Sequence, residues 1–301
     1  MKIAVCVKSV VDVSFPFVLD MEKLSAWEDD LFYKVNPADK CAAELALTLR
    51  ATYGGEVVYL AYGPPRVEKA LRDCLAMGGD QAFRVWEDRP QAGSFARAYL
   101  LAKALKGLHP DLVLCGARSL DEGSGETPVA VAEYLGFPQV TGITDLLSLE
   151  QNCSVIVKRR LERGKREEIE CALPALLSVE TGINQPRYGS LPNVYKAKKA
   201  QITNLTGANL EVDRSLLKEL AALMQPESKS LPRPRPKKTF NLESGLNAAQ
   251  RLEWIMSGGG GKQSKSDFLE GEPEEVAKKL ANIILENTAV PNSLKAEGPG
   301  K

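Results

Sequence analysis

Residues 111–128 read Asp-Leu-Val-Leu-Cys-Gly-Ala-Arg-Ser-Leu-Asp-Glu-Gly-Ser-Gly-Glu-Thr-Pro. Leu112 to Cys115 is a continuous apolar run of the length expected for a strand buried on both faces. It passes straight into a polar turn bearing glycines and hydroxyls, and Thr127-Pro128 then marks a helix start. A buried strand, a glycine-bearing turn and a helix form one βα unit of a parallel sheet. The turn lies at the carboxyl end of its strand, where open α/β sheets hold their ligands.

The same grammar repeats on the N-terminal side. Ile3 to Val7 is a second buried apolar run, and Asn36-Pro37 opens a helix carrying Cys41, Leu45, Leu49 and Tyr53 that Gly54-Gly55 ends. Glu56 to Ala61 is a strand. Gly63-Pro64-Pro65 starts a helix with Val67, Leu71, Cys74 and Leu75, and Gln81 to Trp86 is a further strand. Phe95, Ala98, Ala102 and Leu105 mark the helix before Asp111. Repeated βαβ units predict an α/β fold with a parallel sheet and helices on both faces.

From about residue 140 the texture changes. Ser154 to Arg160 and Glu167 to Ala172 flank the polar turn Glu162-Arg163-Gly164-Lys165 and predict a β-hairpin, and Ala175 to Val179 is a short apolar strand. The compact pattern is expected to end near Lys199, giving an α/β domain over 1–203 and a helical C-terminal extension over 204–301. In the extension, Leu231 to Pro236 has proline at alternate positions and reads as an extended linker. Leu246 to Met256 reads as a short helix, Gly258 to Gly261 as a hinge, and Glu272 to Glu286 as a helix with Val276, Leu280, Ile283 and Ile284 on one face. Such pieces build no core of their own and are expected to pack on a partner subunit.

Composition narrows the function. Among 301 residues, Lys plus Arg and Asp plus Glu are 39 each, so no net charge draws the chain to nucleic acid or to an anionic membrane. The apolar runs are far shorter than a membrane span, and Ile3 to Val7 is too short for a signal-peptide core. The cysteines (Cys6, Cys41, Cys74, Cys115, Cys153, Cys171) form no CxxC pair and read as reduced, buried thiols of a cytoplasmic protein. The single histidine, His109, excludes a His-rich metal site and belongs at a helix end; neither a metal site nor a catalytic residue is expected.

Four strand-end segments could line a ligand site: Cys6 to Asp12, Asn36 to Asp39, Tyr62 to Pro65, and Gly116 to Pro128. The last offers backbone N–H groups and a helix N-terminus, a phosphate cradle that matches neither GxGxxG nor GxxxxGK[ST]. Its plainer reading is a solvated loop with Asp, Ser and Thr as helix caps. Asp121 and Glu122 would oppose a phosphate unless they face sugar or base. A second feature is the run from Asn184 to Lys199, which holds Leu191 between turn formers and follows it with lysines. It reads either as a solvated charged face or as a docking loop with an apolar anchor and a basic rim.

Together these motifs resemble the β subunit of electron transfer flavoprotein. The matching residues are Val7-Lys8 with Asp12, Asn36-Pro37 with Ala42 and Glu44, Gly63-Pro64, Ala76-Met77-Gly78 with Asp80, Asp111 to Leu114, and the block Asn184, Pro186-Arg187-Tyr188, Leu191-Pro192-Asn193 and Lys196 to Lys199. The resemblance covers roughly residues 1–203. It implies a Rossmann-like, adenine-nucleotide α-hydrolase-like fold without hydrolase activity. It also implies pairing with an α subunit that holds most of the redox FAD, and electron transfer from flavin dehydrogenases such as acyl-CoA dehydrogenases.

Carried over residue by residue, an adenine nucleotide would be held by Cys6, Asn36, Pro37, Ala38, Asp39 and Tyr62. The rest of that site would be Gly116, Ala117, Arg118, Ser119, Leu120, Asp121, Glu122, Gly123, Ser124, Gly125, Glu126 and Thr127. The docking loop would be Leu191, Pro192, Asn193, Lys196, Lys198 and Lys199, with Leu191 as anchor. Asp121 to Pro128 departs from the pattern of AMP-binding members and from that of electron-bifurcating members, which place a second FAD there. Thr127 is kept from the former, so AMP is the expected occupant, with a second FAD in an electron-bifurcating subunit as the alternative. Val13 stands where many members carry a tyrosine near the α-subunit flavin, with Phe15 and Phe17 close by. The rival functions are a stand-alone nucleotide-binding protein of the universal-stress type and a true adenine-nucleotide hydrolase or ligase. The first gives no reason for the Leu191 segment, and the second would have only Arg118 and Asp121-Glu122 to act with.

Overall fold

The computed structural model describes residues 1–20, 23–27, 31–86, 93–223, 230, 247, 249–252 and 271–287. In chain order the elements are β1 (Lys2–Cys6), β2 (Ser9–Val11), β3 (Leu19–Asp20), β4 (Ser25–Ala26), β5 (Tyr33–Val35), α1 (Pro37–Tyr53), β6 (Glu56–Tyr62), α2 (Glu68–Met77), β7 (Gln81–Val85) and α3 (Ser94–Leu108). There follow β8 (Leu112–Gly116), α4 (Glu126–Leu135), β9 (Gln139–Glu150), β10 (Ser154–Arg160), β11 (Arg166–Ala172), β12 (Ala175–Val179), α5 (Leu191–Lys199), β13 (Thr203–Leu205), α6 (Arg214–Ala222) and α7 (Pro273–Asn287).

The main sheet runs β11-β10-β9-β12-β8-β1-β6-β7-β13. It is parallel from β9 to β13, and β10 and β11 add an antiparallel margin. The expected α/β architecture and hairpin are therefore present. Alternation along β1 sorts the core: Ile3 and Val5 face the layer of α1 and α2, while Ala4 and Cys6 face α3 and α4. The chain leaves β1 towards β6 and β7 on one side, then returns to lay β8 on the other. The order reverses between β1 and β8, so the loops leaving these strands diverge and open a crevice.

Two expectations about the chain's organisation change. β9 continues the parallel sheet and then pairs with β10, so the hairpin is the outer part of a three-strand meander. The first compact unit is Met1–Leu231, with Pro232–Lys301 as the second, so the first extends past residue 203. The physical reason is edge coverage: β13 adds a strand to β7, pairing Thr203 with Phe83 and Leu205 with Val85. α6 then packs Leu217 and Leu220 near Ala96 and Tyr99 of α3.

In the second unit, α7 matches the expected final helix with both ends one residue later, and Leu280 and Ile283 are exposed. The expected linker 231–236 and hinge 258–261 lie outside the described residues, as does most of the expected helix 246–256. Five cysteines are buried; Cys153, expected to be buried, sits exposed in the turn between β9 and β10. Among the described residues no helix is long and apolar enough to cross a membrane.

Candidate functional site

Two buried polar residues join the diverging loops. Asn36, 2% exposed, precedes α1, and Asp39, 5% exposed, lies in its first turn. Both Asp39 oxygens accept from backbone: Oδ2 from the Lys8 N–H at 2.7 Å and Oδ1 from the Gly116 N–H at 3.0 Å. Asn36 Nδ2 donates to Asp39 Oδ1 and to the Arg118 carbonyl, both at 3.0 Å, while its Oδ1 accepts from the Leu120 N–H at 3.1 Å. Asn36 does not cap α1; its amide ties the segment after β8 to the start of that helix. Glycine is required at 116, because a Cβ there would collide with Asp39 Oδ1 and stand 2.8 Å from the Ala38 Cβ. Burial pushes the Asp39 carboxyl up to about 6, against the lowering effect of its N–H donors.

Charge at the mouth is arranged around the same loops. Lys8 Nζ donates to Asp121 Oδ1 at 2.7 Å and lies 3.3 Å from Glu122 Oε2. Arg97 grips Glu122 with two parallel bonds of 2.9 and 2.8 Å. Burial alone would raise both carboxyls, but Lys8 and Arg97 outweigh it and hold both below the ordinary carboxylate range. The two acids are thus neutralised within the protein instead of standing against an incoming anion.

These parts enclose a cavity of about 630 Å³ at the β1/β8 reversal. α4 begins beside it from Gly125, which is left-handed at φ 70° and ψ 10°, and no side chain caps the helix. The first-turn N–H groups have no intrahelical acceptor by geometry, and the macrodipole is positive there. Arg118 also lines the cavity and has no ion-pair partner among the described residues. Such a mouth suits a phosphate. Tyr62 and Trp86, with ring centroids 5.5 Å apart, form an aromatic wall.

Of the residues expected at a nucleotide site, the cavity brings together Cys6, Asn36, Asp39, Tyr62, Gly116, Ala117, Arg118, Ser119, Asp121, Glu122, Ser124, Gly125 and Thr127. Pro37, Ala38, Leu120, Gly123 and Glu126 do not line it. Ala38 instead backs Gly116, and Glu126 accepts from Ser94 Oγ at 2.8 Å. Sequence reasoning missed Trp86, Arg97 and Cys115. Trp86 follows a parallel strand and was findable by the strand-end rule; Arg97 on α3 is identified only by its partner Glu122. Contact with Cys6, and then burial, push the Cys115 thiol far above its ordinary value, so it is no ready nucleophile. His109 ends α3 in a left-handed conformation (φ 49°), at the opposite end from Arg97.

The expected docking segment is a helix where a loop was anticipated. Ser190 Oγ accepts from the Asn193 N–H at 3.4 Å as N-cap of α5, and Pro192 in the first turn suits a helix start. Leu191 is 68% exposed, with Tyr188 (97%) and Tyr195 (59%) nearby in sequence, and Lys196, Lys198 and Lys199 occupy the last turn. The segment leading in is clamped to α1: Arg187 holds Glu44 through several bonds, and Asn184 Nδ2 donates to the Cys41 carbonyl at 2.9 Å.

The electron transfer flavoprotein domain model matches residues 26–210. The chain is 30% identical to the electron transfer flavoprotein subunit beta of Bacillus subtilis, over 96% of this chain and 100% of that one. It is 32% identical to the same-named subunit of Methylophilus methylotrophus (70% and 81% covered). Identity to the mitochondrial subunit beta of Arabidopsis thaliana is 33% (76% and 92% covered). The matched region takes in both the cavity-lining loop after β8 and the clamped helix α5, and the chain belongs to the electron transfer flavoprotein β-subunit family.

Proposed function

We propose that this chain acts as the β subunit of a heterodimeric electron transfer flavoprotein and holds one adenine nucleotide in the cavity between the loops after β1 and β8. A flavin held mainly by an α subunit supplies the redox chemistry. The residues of this chain bind, orient and dock. The observation that carries the nucleotide is the uncapped N-terminus of α4 opening on a cavity whose acidic residues are already paired. In this reading the first-turn N–H groups of α4 and Arg118 receive the phosphate, and Tyr62 and Trp86 flank the base. AMP is favoured over a second FAD because Thr127 is retained. Extraction of the purified heterodimer tests this: one FAD and one AMP per heterodimer is expected, and two FAD without AMP would overturn it.

The exposed face of α5 serves in the same reading as the docking element for a flavin dehydrogenase, with Leu191 as anchor and the lysines as steering charges. The second unit packs on a partner subunit, for which the exposed Leu280 and Ile283 of α7 are suited.

A further inference from the structure

α5 is a helix that should not stand by itself. It has nine residues, and isolated helices shorter than about 12–15 residues are marginal in water. Its apolar packing is modest: Ala197 is buried, and Val194 and Ala200 are partly buried against the core. What closes it comes from α2. Arg72 Nη1 lies 2.7 Å from the Ala197 carbonyl, 3.1 Å from that of Lys198 and 2.9 Å from that of Ala200. These acceptors belong to the last turn and its cap, where the dipole is negative and carbonyls run short of intrahelical donors; the Ala197 carbonyl also accepts from the Ala200 N–H at 3.3 Å. One guanidinium therefore acts as both hydrogen-bond cap and counter-charge, reaching across 125 to 128 positions of chain.

The arrangement sets a direction as well as a conformation. Ser190 fixes the start of α5 and Arg72 its end, and the Arg187–Glu44 clamp fixes the segment before it. Arg72 is itself steadied by Glu68, 3.8 Å away one turn earlier on α2. Held at both ends, α5 keeps Leu191 and Tyr195 exposed.

We propose that Arg72 is the positioning residue of the docking helix: by capping α5 from α2 it keeps Leu191 presented to the dehydrogenase. The inference rests on the docking role of α5 given above. Without the cap, α5 frays, and the partner meets a fraction of molecules with the anchor in place. Apparent affinity falls in proportion to that fraction.

The test uses the intact heterodimer with an acyl-CoA dehydrogenase that reduces the wild-type protein. Arg72→Ala should raise the half-saturating concentration about three- to tenfold with unchanged maximal rate and flavin content, the signature of a binding-competent state made scarcer. Arg72→Lys, which keeps the charge and three donors, should recover most of the loss. Amide exchange over residues 194–200 should quicken about tenfold or more in Arg72→Ala while α1 is unaffected. In a Leu191→Ala background the Arg72→Ala effect on half-saturation should vanish. If Leu191→Ala raises half-saturation but Arg72→Ala does not, Arg72 has no positioning role and the docking helix stands. Wild-type half-saturation in Leu191→Ala overturns the docking reading, and this proposal with it.

Discussion

Arg187 and Glu44, 143 positions apart, meet in an ion pair whose closest approach is 2.7 Å, and the Arg187 backbone N–H also donates to the same carboxylate at 3.0 Å. The pair fastens the segment leading into α5 to α1, the helix whose first turn joins the loops around the cavity. Burial works against the Glu44 carboxylate, but the Arg187 hydrogen bonds and charge outweigh it and hold its pKa below the ordinary range.

Removing the arginine should cost more than removing the charge. Arg187→Met leaves a Glu44 side chain that is 10% exposed without its partner, and should destabilise the protein by about 1–3 kcal/mol. Glu44→Gln keeps an acceptor for Arg187 and should lose less. Because the Glu44 pKa is depressed, the stabilisation is present above the unfolded value of 4.5 and is lost as pH falls below it. Thermal unfolding of both variants at neutral and acid pH checks the order.

Asp39 should behave in the opposite sense. Its pKa is raised by burial from 3.8 to about 6, so the folded state binds this proton more tightly than the unfolded state. The associated stability is present below the unfolded value of 3.8 and is lost as pH rises through about 6. At 1.36 kcal/mol per unit the effect is on the order of 3 kcal/mol. Asp39→Asn cannot ionise, and its amide would confront an N–H of Lys8 or Gly116, so it should be less stable but flatter between these pH values. Parallel stability–pH curves for variant and wild type would refute the assignment.

The glycines of the cradle should separate folding from binding. Gly116→Ala drives a Cβ into Asp39 and should destabilise by about 1–3 kcal/mol, as overpacking does. Gly125→Leu adds a side chain at φ 70°, with its Cβ 3.0 Å from the Ala117 carbonyl oxygen. That variant should lose bound nucleotide and with it the stabilisation that a native-state ligand confers. Nucleotide released on denaturation and measured by chromatography is the readout, and full retention by Gly125→Leu would show that the cavity is not the nucleotide site.

If α5 docks the dehydrogenase, anchor and rim should fail differently. Leu191→Ala should weaken dehydrogenase binding by about 1–3 kcal/mol, the scale of a lost aliphatic anchor. Neutralising Lys196, Lys198 and Lys199 together should mainly slow association and flatten its dependence on salt. Reduction of the heterodimer measured at several ionic strengths distinguishes the two, with flavin content unchanged in both.

Strands and helices with strong local signals were legible in the sequence. β1, β6, β8 and β12 are continuous apolar runs, and Pro37 and Gly54 bracket α1, because burial on both faces and helix termination are written in neighbouring residues. The strand-end rule then located most of the cavity. Other features depend on residues that are distant in the chain. β9 mixes exposed and buried positions and bends at Gly142 (φ 68°), so its periodicity is broken and only pairing with β12 and β10 defines it. β13 has three residues and exists because β7 offers an open edge. Arg97 becomes part of the site through Glu122, Gly116 is fixed by Asp39, and the last carbonyls of α5 meet Arg72. A local pattern can specify which face of a segment is apolar, but not which distant donor will meet its unpaired carbonyls; that was decided by the packing of α2 against α5.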